Sequence, residues 1–72
     1  MPARIRDIKR ALSARSIAVE EPSSGSHWKA TNGQTTYPIP APNGLKTEVS
    51  DVYVKGLCRA FGIDYQAFKR EL

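Results

Sequence analysis

One cysteine, one histidine, one tryptophan and one methionine occur in 72 residues. Cys58 has no second cysteine to pair with, so a small domain stapled by intrachain disulfides is excluded. A zinc site needs three or four ligands, and one histidine with one cysteine cannot supply them. No stretch approaches the ~20 apolar residues of a membrane span. The opening residues, MPARIRDIKRAL, carry charge throughout and lack the apolar segment of a secretory signal. The expectation is a cytoplasmic protein with no metal, no small-molecule cofactor and no membrane contact. Length excludes a deep catalytic cleft, because a chain this short buries only ~60% of its unfolded surface. One domain, 1–72, with its site on an open surface is the organisation expected.

The charge is uneven. The net charge is +4. Residues 1–16 contain Arg4, Arg6, Lys9, Arg10 and Arg15 against Asp7 alone, so this segment carries the whole excess. Such a segment fits a phosphate-bearing partner or a solvated helix face. Ile5, Ile8, Ala11 and Leu12 fall at i, i+3, i+6 and i+7, one helical stripe, and predict a helix over 3–15. SIAVEE follows, with Ile17 and Val19 alternating against Ala18 and Glu20, and reads as a short strand.

SHWKAT and QTTYPI then flank Asn32-Gly33, the strongest short hairpin signal. With those two residues as the loop, Trp28 faces Tyr37, Ala30 faces Thr35, His27 faces Pro38 and Lys29 faces Thr36. One face of this hairpin is apolar and aromatic, the other polar. PAPNG, 40–44, reads as a loop. Thr47 or Ser50 can cap a second helix whose buried stripe is expected to hold Val49, Val52, Tyr53, Gly56, Leu57 and Ala60. Gly56 implies close approach of a neighbour, with the first helix as candidate. Gly62 reads as the helix stop. Asp64 caps a last short helix on which Tyr65, Phe68 and Leu72 share a face. The class expected is α+β: helix, three-stranded antiparallel sheet, helix, and a short extra C-terminal helix.

That register puts Trp28 in the core and His27 with Lys29 on the open face. An exposed histidine without a role is the plain alternative. Ser-His-Asp hydrolysis is not expected at this size, since the chain has no scaffold to hold three groups and a pocket. A lone histidine acting on RNA is chemically feasible. RNA brings its own nucleophile, the 2′-hydroxyl, so the protein need supply only proton transfer and charge stabilisation. Trp28, Tyr37 and Tyr53 read as core rather than base-stacking platforms, Cys58 as a small packed side chain, and Arg59, Lys69 and Arg70 as solvated.

GSHWKATNG, 25–33, followed by the hydrophobic-proline stretch YPIPAPNGLK and a second helix ending in AFGI, resembles the HicA toxins of bacterial toxin–antitoxin systems. The order of elements matches over nearly the whole length. The resemblance implies a double-stranded-RNA-binding-domain-like fold, with two helices on one side of a three-stranded sheet. It implies the toxin of a type II system, a metal-independent endoribonuclease (mRNA interferase) whose HicB-like antitoxin covers the active face. The family's catalytic histidine, in Gly-Ser-His, maps to His27. Family members often carry a Gly-aromatic pair after the first helix, where this chain reads ARSIAVEE. Many carry a histidine after the proline that ends the third strand, where this chain has Ala41. In the mechanism implied, His27 is the general acid/base and Lys29 stabilises phosphate charge. Ser26 and the Gly25 backbone position the scissile group, and Arg4, Arg6 and Lys9 hold the RNA backbone. With one histidine per chain, His27 serves both proton transfers, or water, a lysine or a second subunit assists. The alternatives are a non-catalytic RNA-binding module of the same fold and a protein-interaction module.

Overall fold

The structure, a computed structural model, describes residues 3–22 and 27–72. Along helix α1 (Ile5–Ser13) the stripe Ile5, Ile8, Ala11 and Leu12 is buried as its spacing requires. The helix does not begin at Ala3, however. Ala3–Arg4 is extended, forming β1, and pairs antiparallel with β5 (Glu48–Val49), Ala3 opposite Val49 and Arg4 opposite Glu48. The physical reason lies in the cap. Arg4 offers no side-chain hydrogen bond to the helix start, and the Ile5 N–H is satisfied instead by the Thr47 carbonyl at 2.9 Å. An unmet helix donor is thus covered by the carbonyl of the residue just before β5 rather than by a capping side chain.

After α1 the chain reverses through Ser16, whose φ of 62° lies in the left-handed region. The Ile17 N–H returns to the Leu12 carbonyl at 3.0 Å, a closure that glycine normally serves. A non-glycine residue there costs about 1–2 kcal/mol, and glycine would lose ~0.5–1 kcal/mol of that advantage to chain entropy. Ser16→Gly should therefore raise the thermal midpoint by a few degrees, since 1 kcal/mol moves a domain of this size by ~4–8 °C. A melt followed by circular dichroism checks it, and an unchanged or lower midpoint would show that the turn carries no strain.

Strands β2 (Ala18–Glu20), β3 (His27–Thr31) and β4 (Thr36–Pro40) form a three-stranded antiparallel sheet in the order β2-β3-β4. The hairpin is two residues out of the expected register. Trp28 pairs with Ile39, Ala30 with Tyr37, His27 with Pro40 and Lys29 with Pro38. The turn explains the slip. The Asn32 side-chain oxygen accepts from the Gln34 N–H at 2.9 Å and the Thr35 N–H at 2.7 Å, so the turn closes over 32–35. Gly33 takes φ 94° within it. Because the slip is even, every side chain keeps its expected face. Pro40 is not in a loop but ends β4, which an edge strand tolerates.

Helix α2 (Asp51–Phe61) is capped by Ser50, whose hydroxyl accepts from the Tyr53 N–H at 3.2 Å. Thr47 serves elsewhere, accepting from the Asn43 N–H at 2.9 Å beside a short 3-10 turn, Gly44–Lys46. With the helix starting at Asp51, Val54, Leu57 and Cys58 face the core, while Val52 is 77% exposed. The expected stripe was therefore rotated: Val49 is buried but belongs to β5, and Val52 points to solvent. Gly56 does meet a close neighbour, though not α1. A Cβ there would lie 2.9 Å from the Tyr37 hydroxyl on β4. Gly62 ends α2 with φ 68°, and Asp64 caps α3 (Tyr65–Arg70) by accepting from the Ala67 N–H at 3.0 Å.

The inner sheet residues Trp28, Ala30 and Ile39 join Ile5, Ile8 and Leu12 of α1, Leu57 of α2 and Phe68 of α3 in one core. The C-terminus is held by Glu71. Its carboxylate receives both guanidinium nitrogens of Arg15, one at 2.8 Å, and its carbonyl accepts from Arg10 at 3.2 Å. The Arg15 hydrogen bonds hold the Glu71 carboxyl below its ordinary range. A depressed folded pKa means stability present above the unfolded value of about 4.3 and lost as pH falls through the folded one. Glu71→Gln should therefore lower the melting temperature at pH 7 and make little difference near pH 3. Melts at the two pH values check this, and an equal effect at both would point to lost packing instead.

Candidate functional site

Alternation along β3 decides what the open face carries. Trp28 is 7% exposed, whereas His27 and Lys29 are both exposed. Cross-strand partners share a face, so Lys29 stands between Glu20 of β2 and Pro38 of β4, and Thr31 between Ala18 and Thr36. His27 stands beside Pro40. Apart from the two charges, the neighbours are prolines, threonines and an alanine. Among the described residues no bulkier side chain is paired across from His27, and His27, Lys29, Pro38 and Pro40 are all exposed. Gly25 and Ser26 lie outside the described residues.

Both prolines also define the edge of the site. Neither Pro38 nor Pro40 has an N–H, and the Pro38 carbonyl accepts from the Tyr53 hydroxyl at 2.7 Å. At these positions the outer side of β4 has no donor to give a further strand.

Three further side chains with nucleophilic or acidic groups are withdrawn from chemistry. Cys58 is buried on α2, and that burial pushes its thiol up. Burial likewise raises the Tyr53 phenol, with the nearby Tyr37 adding to it. Tyr65 donates to the Asp51 carboxylate, which holds the phenol up at about 12. Among the described residues, no group of three His, Cys, Asp or Glu side chains is placed to hold a metal ion, and no helix is long and apolar enough to cross a membrane.

The basic residues divide differently from the sequence picture. Arg15 is tied to Glu71 and stacks on Phe68, its guanidinium carbon 5.2 Å from the ring centre. Arg10 pairs with Asp7 at 3.4 Å, and Arg4 with Glu48 at 3.8 Å. Arg6 and Lys9 are exposed and make no ion pair among the described residues. Helix α1 packs on the Trp28 side of the sheet, so Arg4, Arg6 and Lys9 do not share a face with His27. What links the two sides is the chain from Pro40, beside His27, to the 3-10 turn. There Leu45 and Lys46 meet Arg4 and Arg6 around a surface cavity of about 460 Å³. Lys46 was missed from sequence because its place follows from the β1–β5 ladder, and pairs of two residues leave no periodic signal.

Comparison with family models, with curated proteins and with solved structures returns no match.

Proposed function

We propose that this chain is a HicA-like endoribonuclease, the toxin of a type II toxin–antitoxin pair, with a double-stranded-RNA-binding-domain-like fold. The observation that carries the reading is His27, exposed on an open sheet face beside Lys29, with its neighbour Trp28 buried beneath. Helices on one side of a three-stranded antiparallel sheet support the fold assignment. So does the turn after α1, where Ser16 takes a glycine-like φ of 62° and Ile17 is buried, the backbone and packing a Gly-aromatic pair would meet.

In this mechanism the RNA 2′-hydroxyl attacks the adjacent phosphorus, the bond to the 5′-oxygen breaks, and a 2′,3′-cyclic phosphate and a 5′-hydroxyl result. His27 exchanges protons with the attacking or leaving oxygen, and the Lys29 ammonium lies against the developing phosphate charge. The second transfer falls to His27 again, to water, to a lysine or to a second subunit. The sheet adds Glu20, paired with Lys29 and so diagonal to His27, a relation of ~7–8 Å that long side chains bridge. Gly25 and Ser26 keep the positioning role that the resemblance implies. No metal or cofactor enters the scheme.

The partner expected is a HicB-like antitoxin lying over the His27 face. The prolines of β4 favour a partner that covers the face over one that extends the sheet at that edge. The test is labelled single-stranded RNA incubated with folded protein in EDTA. Cleavage to cyclic-phosphate ends supports the reading, together with growth arrest on expression. Salt-sensitive RNA binding without cleavage would replace it with the binding-module reading.

A further inference from the structure

We propose that the cavity between the start of α1 and the 3-10 turn is a nucleotide subsite for single-stranded RNA. In it Arg6 and Lys46 hold a phosphate and Leu45 seats the base. Arg4, Arg6, Leu45, Lys46 and Glu48 line its ~460 Å³, a size suited to a small ligand. Three of the five are cationic. Glu48 is already engaged with Arg4 at 3.8 Å, which leaves Arg6 and Lys46 without an ion pair among the described residues. Among the described residues Leu45, 37% exposed, is one of two large apolar residues left in solvent. A lone exposed leucine is ordinary on a surface, but this one lies inside a cationic hollow. Phosphate charge beside an apolar surface is what a nucleotide presents.

The walls are joined by backbone. β1 and β5 pair directly beneath Arg4 and Glu48. The Ile5 N–H to Thr47 carbonyl bond, 2.9 Å, ties α1 to the end of the 3-10 turn. Thr47 also accepts from Asn43, 2.9 Å, and closes that turn on itself. The cations are thus carried on a preformed frame. The larger cavity, about 550 Å³ beside Asp51, Tyr65 and Lys69, is a weaker candidate because its carboxylates are already engaged, Asp51 by Tyr65 and Lys55, Asp7 by Arg10 and Glu48 by Arg4.

Position along the strand follows from chain length. Leu45 is five residues beyond Pro40, the cross-strand partner of His27. Five residues span at most ~18 Å, so RNA running from His27 round the end of β4 reaches the cavity within a few nucleotides. This placement relative to the cut rests on the ribonuclease reading; the affinity of the cavity for RNA does not.

The experiment measures binding of a short fluorescent single-stranded RNA in a His27→Gln background, where cleavage cannot consume the probe, across a range of salt concentrations. Arg6→Gln and Lys46→Gln should each raise Kd about threefold to tenfold and remove about one unit from the salt slope. Leu45→Ser should raise Kd about threefold to tenfold with the slope unchanged, because it removes apolar contact and no charge. Arg59→Gln, on the exposed side of α2, is the control and should do neither. RNA bound equally by all three cavity variants overturns the subsite, even where wild type cleaves RNA. The expected losses in a protein that cleaves nothing leave the subsite standing and overturn the ribonuclease reading. Unchanged RNA binding with loss of an acidic protein partner would make the cavity a protein contact and overturn the subsite. No RNA binding by any variant, the His27→Gln parent included, overturns it too.

Discussion

His27→Gln should fold as wild type does and, on the proposed ribonuclease reading, should lose RNA cleavage by about 10²–10⁴-fold, the usual contribution of a positioned acid/base. The fold survives because the histidine is exposed on the sheet and stands beside Pro40 rather than in the core. A surface change of this kind alters stability by about ±0.5 kcal/mol or less. Trp28, buried directly beneath the strand, gives a fluorescence signal that reports an intact sheet in the same sample. Glutamine keeps the approximate size and one hydrogen bond while losing proton transfer, so it separates chemistry from shape. His27→Ala should lose as much cleavage and abolish growth arrest. If His27→Gln cleaves as fast as wild type, His27 is not the acid/base and the open face is a binding surface only. Lys29→Gln offers a graded companion. It should slow cleavage and weaken salt-dependent binding together, because one ammonium serves both.

Most of this site could be read from the chain because strand alternation is robust to small errors of pairing. The Asn-Gly signal located the hairpin but assigned it too short a turn. Asn32 accepts two backbone N–H groups through its side chain, so the ladder closes two residues later than a two-residue loop would give. An even slip leaves Trp28 inside and His27 outside, and the facing that the proposed role of His27 requires is kept. A slip of one would have inverted it. Caps were equally legible, since Ser50, Asp64 and Gly62 act through local chemistry alone.

The illegible parts depend on residues far apart in sequence. The β1–β5 ladder pairs two residues with two others more than forty positions away, with no pattern to announce it. It shortens α1, rotates the expected face of α2 and brings Lys46 beside Arg6. Arg15 is another case. By composition it belonged to a basic face, yet it is bound to Glu71 at the opposite end of the chain. The basic surface of α1 is therefore smaller than the charge count implied, and Arg6 and Lys9 are its members without an ion pair among the described residues. A salt slope for RNA binding shallower than five phosphate contacts would follow from that pairing.

The largest effect on stability should come from Phe68→Ala. Phe68 is fully buried and, among the described residues, is the largest side chain with essentially no exposure. It is also the one residue of α3 that is buried outright, with Tyr65 only half-buried beside it. Truncating a buried phenylalanine costs about 3–5 kcal/mol. A domain of this length has roughly 4–11 kcal/mol in total at ~0.05–0.15 kcal/mol per residue, so the variant is left near the edge of stability. Its thermal midpoint should fall by about 15 °C or more. The loss exceeds the cavity alone, because Arg15 rests on the Phe68 ring and then closes on Glu71. Removing the ring frees that guanidinium and loosens the clasp between α1 and the C-terminus. Phe68→Leu keeps most of the volume and should cost less than about 1.5 kcal/mol. Combined with Glu71→Gln it should cost less than the sum of the two single changes, since both act on one clasp. Helix α3 joins the core on the Trp28 side of the sheet, the layer opposite His27. Well below its midpoint, then, Phe68→Ala should cleave RNA at the wild-type rate per folded molecule. A midpoint shifted by only a few degrees would mean that α3 is not part of the cooperative core. Lost cleavage in a sample still fully folded would mean that α3 reaches the His27 face after all.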